Sequence, residues 1–121
     1  MTEVTAEIDA IIARARKAQQ AYETTGNQER FDSAAKAAAW ALMEPSRNSE
    51  LSALAVAETG LGNVDDKITK NHRKTLGLLR DINGKTSYGM INDDAKSGIS
   101  EFLRPKGVIA AVVPSTNPLA T

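Results

Sequence analysis

No cysteine occurs among the 121 residues. That absence excludes a disulfide framework, a zinc-thiolate site and any thiol nucleophile supplied by these residues. An excess of one charge is lacking as well, since fifteen Lys and Arg are balanced by fifteen Asp and Glu. Nucleic acid or an anionic membrane surface needs a basic footprint that this balance does not provide, so neither is expected as a partner. No apolar run approaches the length of a signal core or a membrane span, and the first residues carry Glu3, Glu7 and Asp9. The expected location is cytoplasmic. Internal repeats and low-complexity linkers are also missing. The one histidine, His72, is flanked by Asn71, Arg73 and Lys74 and reads as a surface residue rather than a base. The one tryptophan, Trp40, reads as a core or interface residue, because an indole contributes large apolar area wherever it is buried.

What is present is the composition of an ordinary soluble protein, 41% hydrophobic and 25% charged, in a length that suits one small domain or part of a larger one. Val4, Ile8, Ile11, Ile12, Ala15, Ala18 and Tyr22 recur at helical spacing and predict an amphipathic helix ended by Gly26. Asn27 is placed to cap a second helix with a stripe of Phe31, Ala34, Ala35, Ala38, Ala41 and Leu42, stopped by Pro45. Ser46 or Ser49 can cap a third, with Leu51, Leu54 and Ala55 inward and Gly60 as its left-handed terminus. Asn63, three residues before Asp66, starts a fourth whose apolar face is Val64, Ile68, Leu76, Leu79 and Ile82. The Gly60-Leu61-Gly62 turn follows a helix, so it is not the strand-loop-helix fingerprint of a dinucleotide site.

Beyond Asn83 the helical periodicity fails. Gly, Asn, Asp and Ser accumulate up to Gly98, which predicts a connection with a short extended piece around Ser87–Ile91, and Asp93-Asp94 reads as a turn signal before a metal site. Alternation from Ile99 to Arg104 predicts a strand, broken by Pro105 and re-aimed by Gly107. Val108–Val113 is an unbroken apolar run rich in β-branched residues. It is too short for a buried helix and reads as a strand buried on both faces, the kind found in parallel sheets covered by helices. The loop Pro114–Pro118 would then lie at the carboxyl end of that strand, where open α/β sheets bind ligands.

Two blocks carry a resemblance. Arg104-Pro105-Lys106-Gly107-Val108, the apolar run and Pro114-Ser115-Thr116-Asn117-Pro118 resemble the entry into the cofactor domain of the aldehyde dehydrogenase superfamily, and Ser-Thr-Asn resembles its CoA-acylating branch. Glu58-Thr59-Gly60-Leu61-Gly62-Asn63-Val64-Asp65-Asp66-Lys67-Ile68-Thr69-Lys70-Asn71 is similar to the E-T-G-x-G-x-x-x-D-K-x-x-K-N segment of the same acylating enzymes. The resemblance covers nearly the whole chain but only the amino-terminal part of such an enzyme, so a fragment, inactive alone, is expected.

The fold implied is α/β in the complete enzyme, with a Rossmann-type cofactor domain. This chain would contribute a mostly α-helical layer (1–83), a connection and strand (84–107), and the first core strand with the active-site loop (108–121). The implied reaction oxidises a small aldehyde through a cysteine thioester, with NAD or NADP as oxidant and coenzyme A as acyl acceptor, in a homo-oligomer. By position in the motif, Asn117 is the candidate oxyanion donor, although Thr116 stands where the classical P-W-N-x-P loop has its asparagine. Pro114, Ser115 and Thr116 are the residues expected to line the cofactor or substrate pocket. Asn117 followed by Pro118 equally suits a helix N-cap with proline at the first helical position. The motifs look most like enzymes of acetaldehyde or sulfoacetaldehyde type. The alternative is a self-contained helical module that binds a protein partner without catalysis.

Overall fold

A computed structural model describes residues 3–119. Four helices, α1 (Glu3–Thr24), α2 (Gln28–Met43), α3 (Pro45–Thr59) and α4 (Val64–Ile82), are followed by a two-stranded antiparallel hairpin of β1 (Gly89–Asp94) and β2 (Ile99–Leu103). The mostly helical segment with a few strands expected from the sequence is therefore found. No helix among the described residues is long and apolar enough to cross a membrane. The chain falls into two compact units: one holds α1, the start of α2 and the segment Thr86–Ala111, and the other runs from Asp32 to Lys85 and resumes at Val112.

In the first unit, α1 ends where Gly26 admits the ring of Phe31. A Cβ on Gly26 would overlap that ring, so glycine serves here by close approach. Phe31 then lies between Tyr22 and Tyr88, with ring centroids 5.0 and 5.2 Å away, and the Arg30 guanidinium stands 5.8 Å from the Tyr22 centroid. Asn27 caps α2 as expected, its Oδ1 accepting from the Arg30 N–H at 2.8 Å. Gln28 Oε1 accepts from the Ser87 N–H (2.8 Å) and hydroxyl (3.1 Å), which ties the connection before the hairpin to the start of α2. In the hairpin, Met90 pairs with Phe102 and Asn92 with Glu101, leaving Ile91 as a bulge. Asp94 organises the turn: its carboxylate accepts from the Lys96 N–H (2.9 Å) and the Ser97 hydroxyl (2.7 Å). The turn signal read at Asp93-Asp94 is thus realised, and Asp93 accepts from Ser100 at 2.7 Å.

The second unit is built on the pairing of α3 with α4. Helix α3 is capped by Glu44, not by Ser46 or Ser49; the Glu44 carboxylate accepts from the N–H groups of Ser46 (3.2 Å) and Arg47 (2.9 Å), and Pro45 opens the helix at its first position. Proline read as a stop to α2 is equally a start for α3, because its missing N–H costs nothing in a first turn. Gly60 closes α3 in the left-handed conformation (φ 65°), its N–H donating to the Val56 carbonyl at 2.8 Å. Asn63 opens α4 with a reciprocal box: its Oδ1 accepts from the Asp66 N–H (2.9 Å) while its Nδ2 donates to Asp66 Oδ2 (2.7 Å).

Between these helices the buried side chains are polar. Asn48, Ser52 and Asn71 are all but inaccessible, alongside Ala55. Asn71 Nδ2 donates to Asn48 Oδ1 (3.0 Å) and Ser52 Oγ (3.2 Å), and Asn48 Nδ2 donates to the Ile68 carbonyl (3.1 Å). No buried side-chain nitrogen or oxygen among the described residues lacks a partner. Apolar stripes expected to face inward stay open by contrast: Ile8 on α1, Trp40 on α2 and Leu54 on α3 are each about half exposed or more, Trp40 at 59%. The expectation of a buried strand at 108–113 is not met either. These residues form no strand, and Ile109 and Val112 are 75% and 97% exposed. A strand is stabilised by hydrogen-bonded neighbours, and the only ladder among the described residues is that of β1 and β2.

Candidate active site

The two sequence blocks meet at the start of α4. Lys67 and Lys70 lie three residues apart on this helix and so share a face. Lys67 is 6% exposed, its stem passing under the turn, where a Cβ on Gly62 would stand 3.7 Å from Lys67 Cε. From the other block, residues 114–117 form a turn in which the Asn117 N–H donates to the Pro114 carbonyl at 3.2 Å. Lys70 Nζ reaches across to donate to Asn117 Oδ1 at 2.7 Å. Gly62, Asn63, Asp66, Lys67, Lys70 and Thr116 border one open cavity, so the loop and the helix start form a single wall.

An ammonium group has three donors and no acceptor, so it can only meet the oxygen of a carboxamide. The orientation of the Asn117 side chain is thereby decided by chemistry: Oδ1 faces Lys70 and the Nδ2 donors occupy the other branch. A charged donor on the carbonyl also draws electron density from the amide nitrogen and strengthens its N–H groups as donors. A helix capped by Asn117 would run beyond residue 119, outside the described residues.

Of the other predicted residues, Pro114 contributes its carbonyl to the turn, Thr116 borders the cavity, and Ser115 is exposed without bordering it. His72 is exposed and does not line the cavity. The sequence reading did not single out Lys67 and Lys70, although a D-K-x-x-K-N stretch places two cations on one helix face directly after a capping box. The Gly60–Gly62 turn is not a cradle for the pyrophosphate of a dinucleotide or of coenzyme A. It is engaged in closing α3 and opening α4, with its caps supplied by protein groups.

Comparison with known proteins bears on this arrangement. No family model matches the chain. Over 114 residues it is 59% identical to a sulfoacetaldehyde dehydrogenase (acylating) of Cupriavidus necator, covering 94% of this chain and 23% of that protein. It is 44% identical over 107 residues to a sulfoacetaldehyde dehydrogenase (acylating) of Bilophila wadsworthia, covering 88% of this chain and 23% of the relative. The bifunctional aldehyde-alcohol dehydrogenase AdhE of Escherichia coli is 34% identical over 116 residues, which is 96% of this chain and 13% of AdhE. The chain thus spans less than a quarter of the length of these curated relatives, while nearly all of it is matched by them. At 59%, 44% and 34% identity over nearly its whole length, the chain is a homologue of the CoA-acylating enzymes of the aldehyde dehydrogenase superfamily, as a segment matching the amino-terminal part of such proteins.

Proposed function

We propose that this segment forms one wall of the active site of an acylating aldehyde dehydrogenase that converts sulfoacetaldehyde to the corresponding acyl-CoA with NAD or NADP. The substrate is proposed from the higher identity to the two sulfoacetaldehyde dehydrogenases, 59% and 44%, than to AdhE, 34%. NAD(P) would accept hydride and coenzyme A the acyl group, both held by other parts of the protein. The contribution of these residues is electrostatic. When a cysteine thiolate from elsewhere in the protein adds to the aldehyde carbonyl, the carbonyl π pair moves to oxygen, and that oxygen needs preorganised donors. Asn117 Nδ2 is the donor proposed, with Thr116 lining the approach. A soluble cytoplasmic homo-oligomer is the form proposed for the enzyme.

The observation that carries this reading is the anchored Asn117 side chain in a loop beside a cavity. In the complete enzyme, Asn117→Ala should lower kcat about 100-fold or more while leaving dissociation constants for NAD(P) within about twofold, because an oxyanion donor acts on the transition state. Steady-state kinetics with sulfoacetaldehyde and acetaldehyde side by side check both halves. An unchanged kcat defeats the role of Asn117. A kcat/KM for acetaldehyde above that for sulfoacetaldehyde defeats the substrate assignment.

A further inference from the structure

We infer that Lys70 is a positioning residue for the reaction: its ammonium group fixes and polarises the carboxamide of Asn117 so that Nδ2 is presented to the developing oxyanion. This inference rests on the proposed role of Asn117. Its own support is the 2.7 Å contact from Lys70 Nζ to Asn117 Oδ1, formed across 47 residues of sequence, which no local backbone geometry imposes.

A free asparagine side chain exchanges the places of its oxygen and nitrogen by rotation about one broad torsion. Half of such orientations would turn a carbonyl oxygen toward the nascent alkoxide and repel it. A charged donor on Oδ1 removes that choice, since only one end of the amide can accept. The ammonium is in turn aimed from a helix whose rotation is set by the buried contacts of its neighbour Asn71 with Asn48 and Ser52. Lys70 therefore stands on a firm element while Asn117 stands on a turn, the arrangement expected of a group that supports a catalytic side chain.

The test is a double-mutant cycle in the complete enzyme, with kcat, KM for the aldehyde and NAD(P) dissociation constants measured for each member. Lys70→Met should lower kcat roughly tenfold with KM for aldehyde and cofactor affinity little changed, because it removes a charge-assisted hydrogen bond to the amide and not a substrate contact. Lys70→Arg, which keeps a charged donor, should recover most of the loss. Lys70→Met with Asn117→Ala should be no slower than Asn117→Ala alone, since a residue acting through Asn117 has nothing left to position. Independent, multiplying effects would overturn the inference, as would a Lys70→Met enzyme with normal kcat or one whose loss is entirely in KM. If Asn117→Ala itself leaves kcat unchanged, the proposed role of Asn117 fails first. If Asn117→Ala is slow and Lys70→Met is not, only the positioning role fails. Unaltered circular dichroism of each variant excludes misfolding as the cause of a loss.

Discussion

At the scale of single residues, the two carboxylates that organise local structure are Glu44 and Asp94. The Ser46 hydroxyl, then the N–H groups of Arg47 and Ser46, hold the Glu44 carboxyl below the ordinary carboxylate range. For Asp94 the Ser97 hydroxyl and the Lys96 N–H have the same effect. Both groups prefer the charged form in the fold, so their contribution is complete above the ordinary carboxylate pKa. It declines as pH falls and is lost once pH passes below the lowered folded values. Acidification should therefore loosen the start of α3 and the hairpin turn. The amide proton shifts of Arg47 and Lys96, followed by NMR in an acid titration, should move with midpoints below those of an exposed glutamate and aspartate. Ordinary midpoints would show that the carboxylates are not engaged.

At the scale of elements, α3 and α4 are matched through Asn48, Ser52 and Asn71 rather than through a leucine seam. Removing one member of such a network leaves the others buried without partners, and each orphaned group costs about 1–3 kcal/mol. In the complete protein, Asn71→Ala should lower the urea midpoint accordingly, whereas replacing Asn48, Ser52 and Asn71 together by apolar residues of similar volume should cost less than Asn71→Ala alone. An Asn71→Ala protein with the parental midpoint would show that the network contributes nothing. These same elements show which features were legible in the sequence. The caps by Asn27 and Asn63 and the left-handed Gly60 were readable because each depends on residues within four positions. Glu44 was missed as a cap because glutamate is an uncommon choice, and Pro45 hid the helix start by resembling only a helix stop. The polar seam was invisible to an apolar-periodicity reading, which placed Ala55 inward correctly but sent Leu54 with it and passed over Ser52. In the candidate site, motif position put forward the loop residues, but the Lys70–Asn117 contact spans 47 residues and no local pattern encodes it.

At the scale of the whole molecule, Ala55 is the one apolar residue that is buried among those described, while Val4, Ile8, Ile11 and Ile12 of α1 and Val108, Ile109, Val112 and Val113 remain accessible. Hydrophobic burial is the main favourable term in folding, and a chain that leaves its branched side chains in water gives up that term. The apolar run also carries unpaired backbone donors and acceptors, which makes it a template for intermolecular strand pairing. Purified alone, residues 1–121 should therefore be helical by far-UV circular dichroism, bind an apolar dye, elute as an oligomer or aggregate, and melt without a sharp cooperative transition. No aldehyde-dependent reduction of NAD(P) in the presence of coenzyme A should be measurable, because the segment contains no thiol to form the thioester. Sizing, thermal melting and a coupled absorbance assay on one preparation check all of this. A monodisperse monomer with a cooperative melt would mean that the exposed faces are tolerated without partners and would favour the self-contained binding module, while aldehyde oxidation that survives repeated purification would overturn the chemical half of the argument.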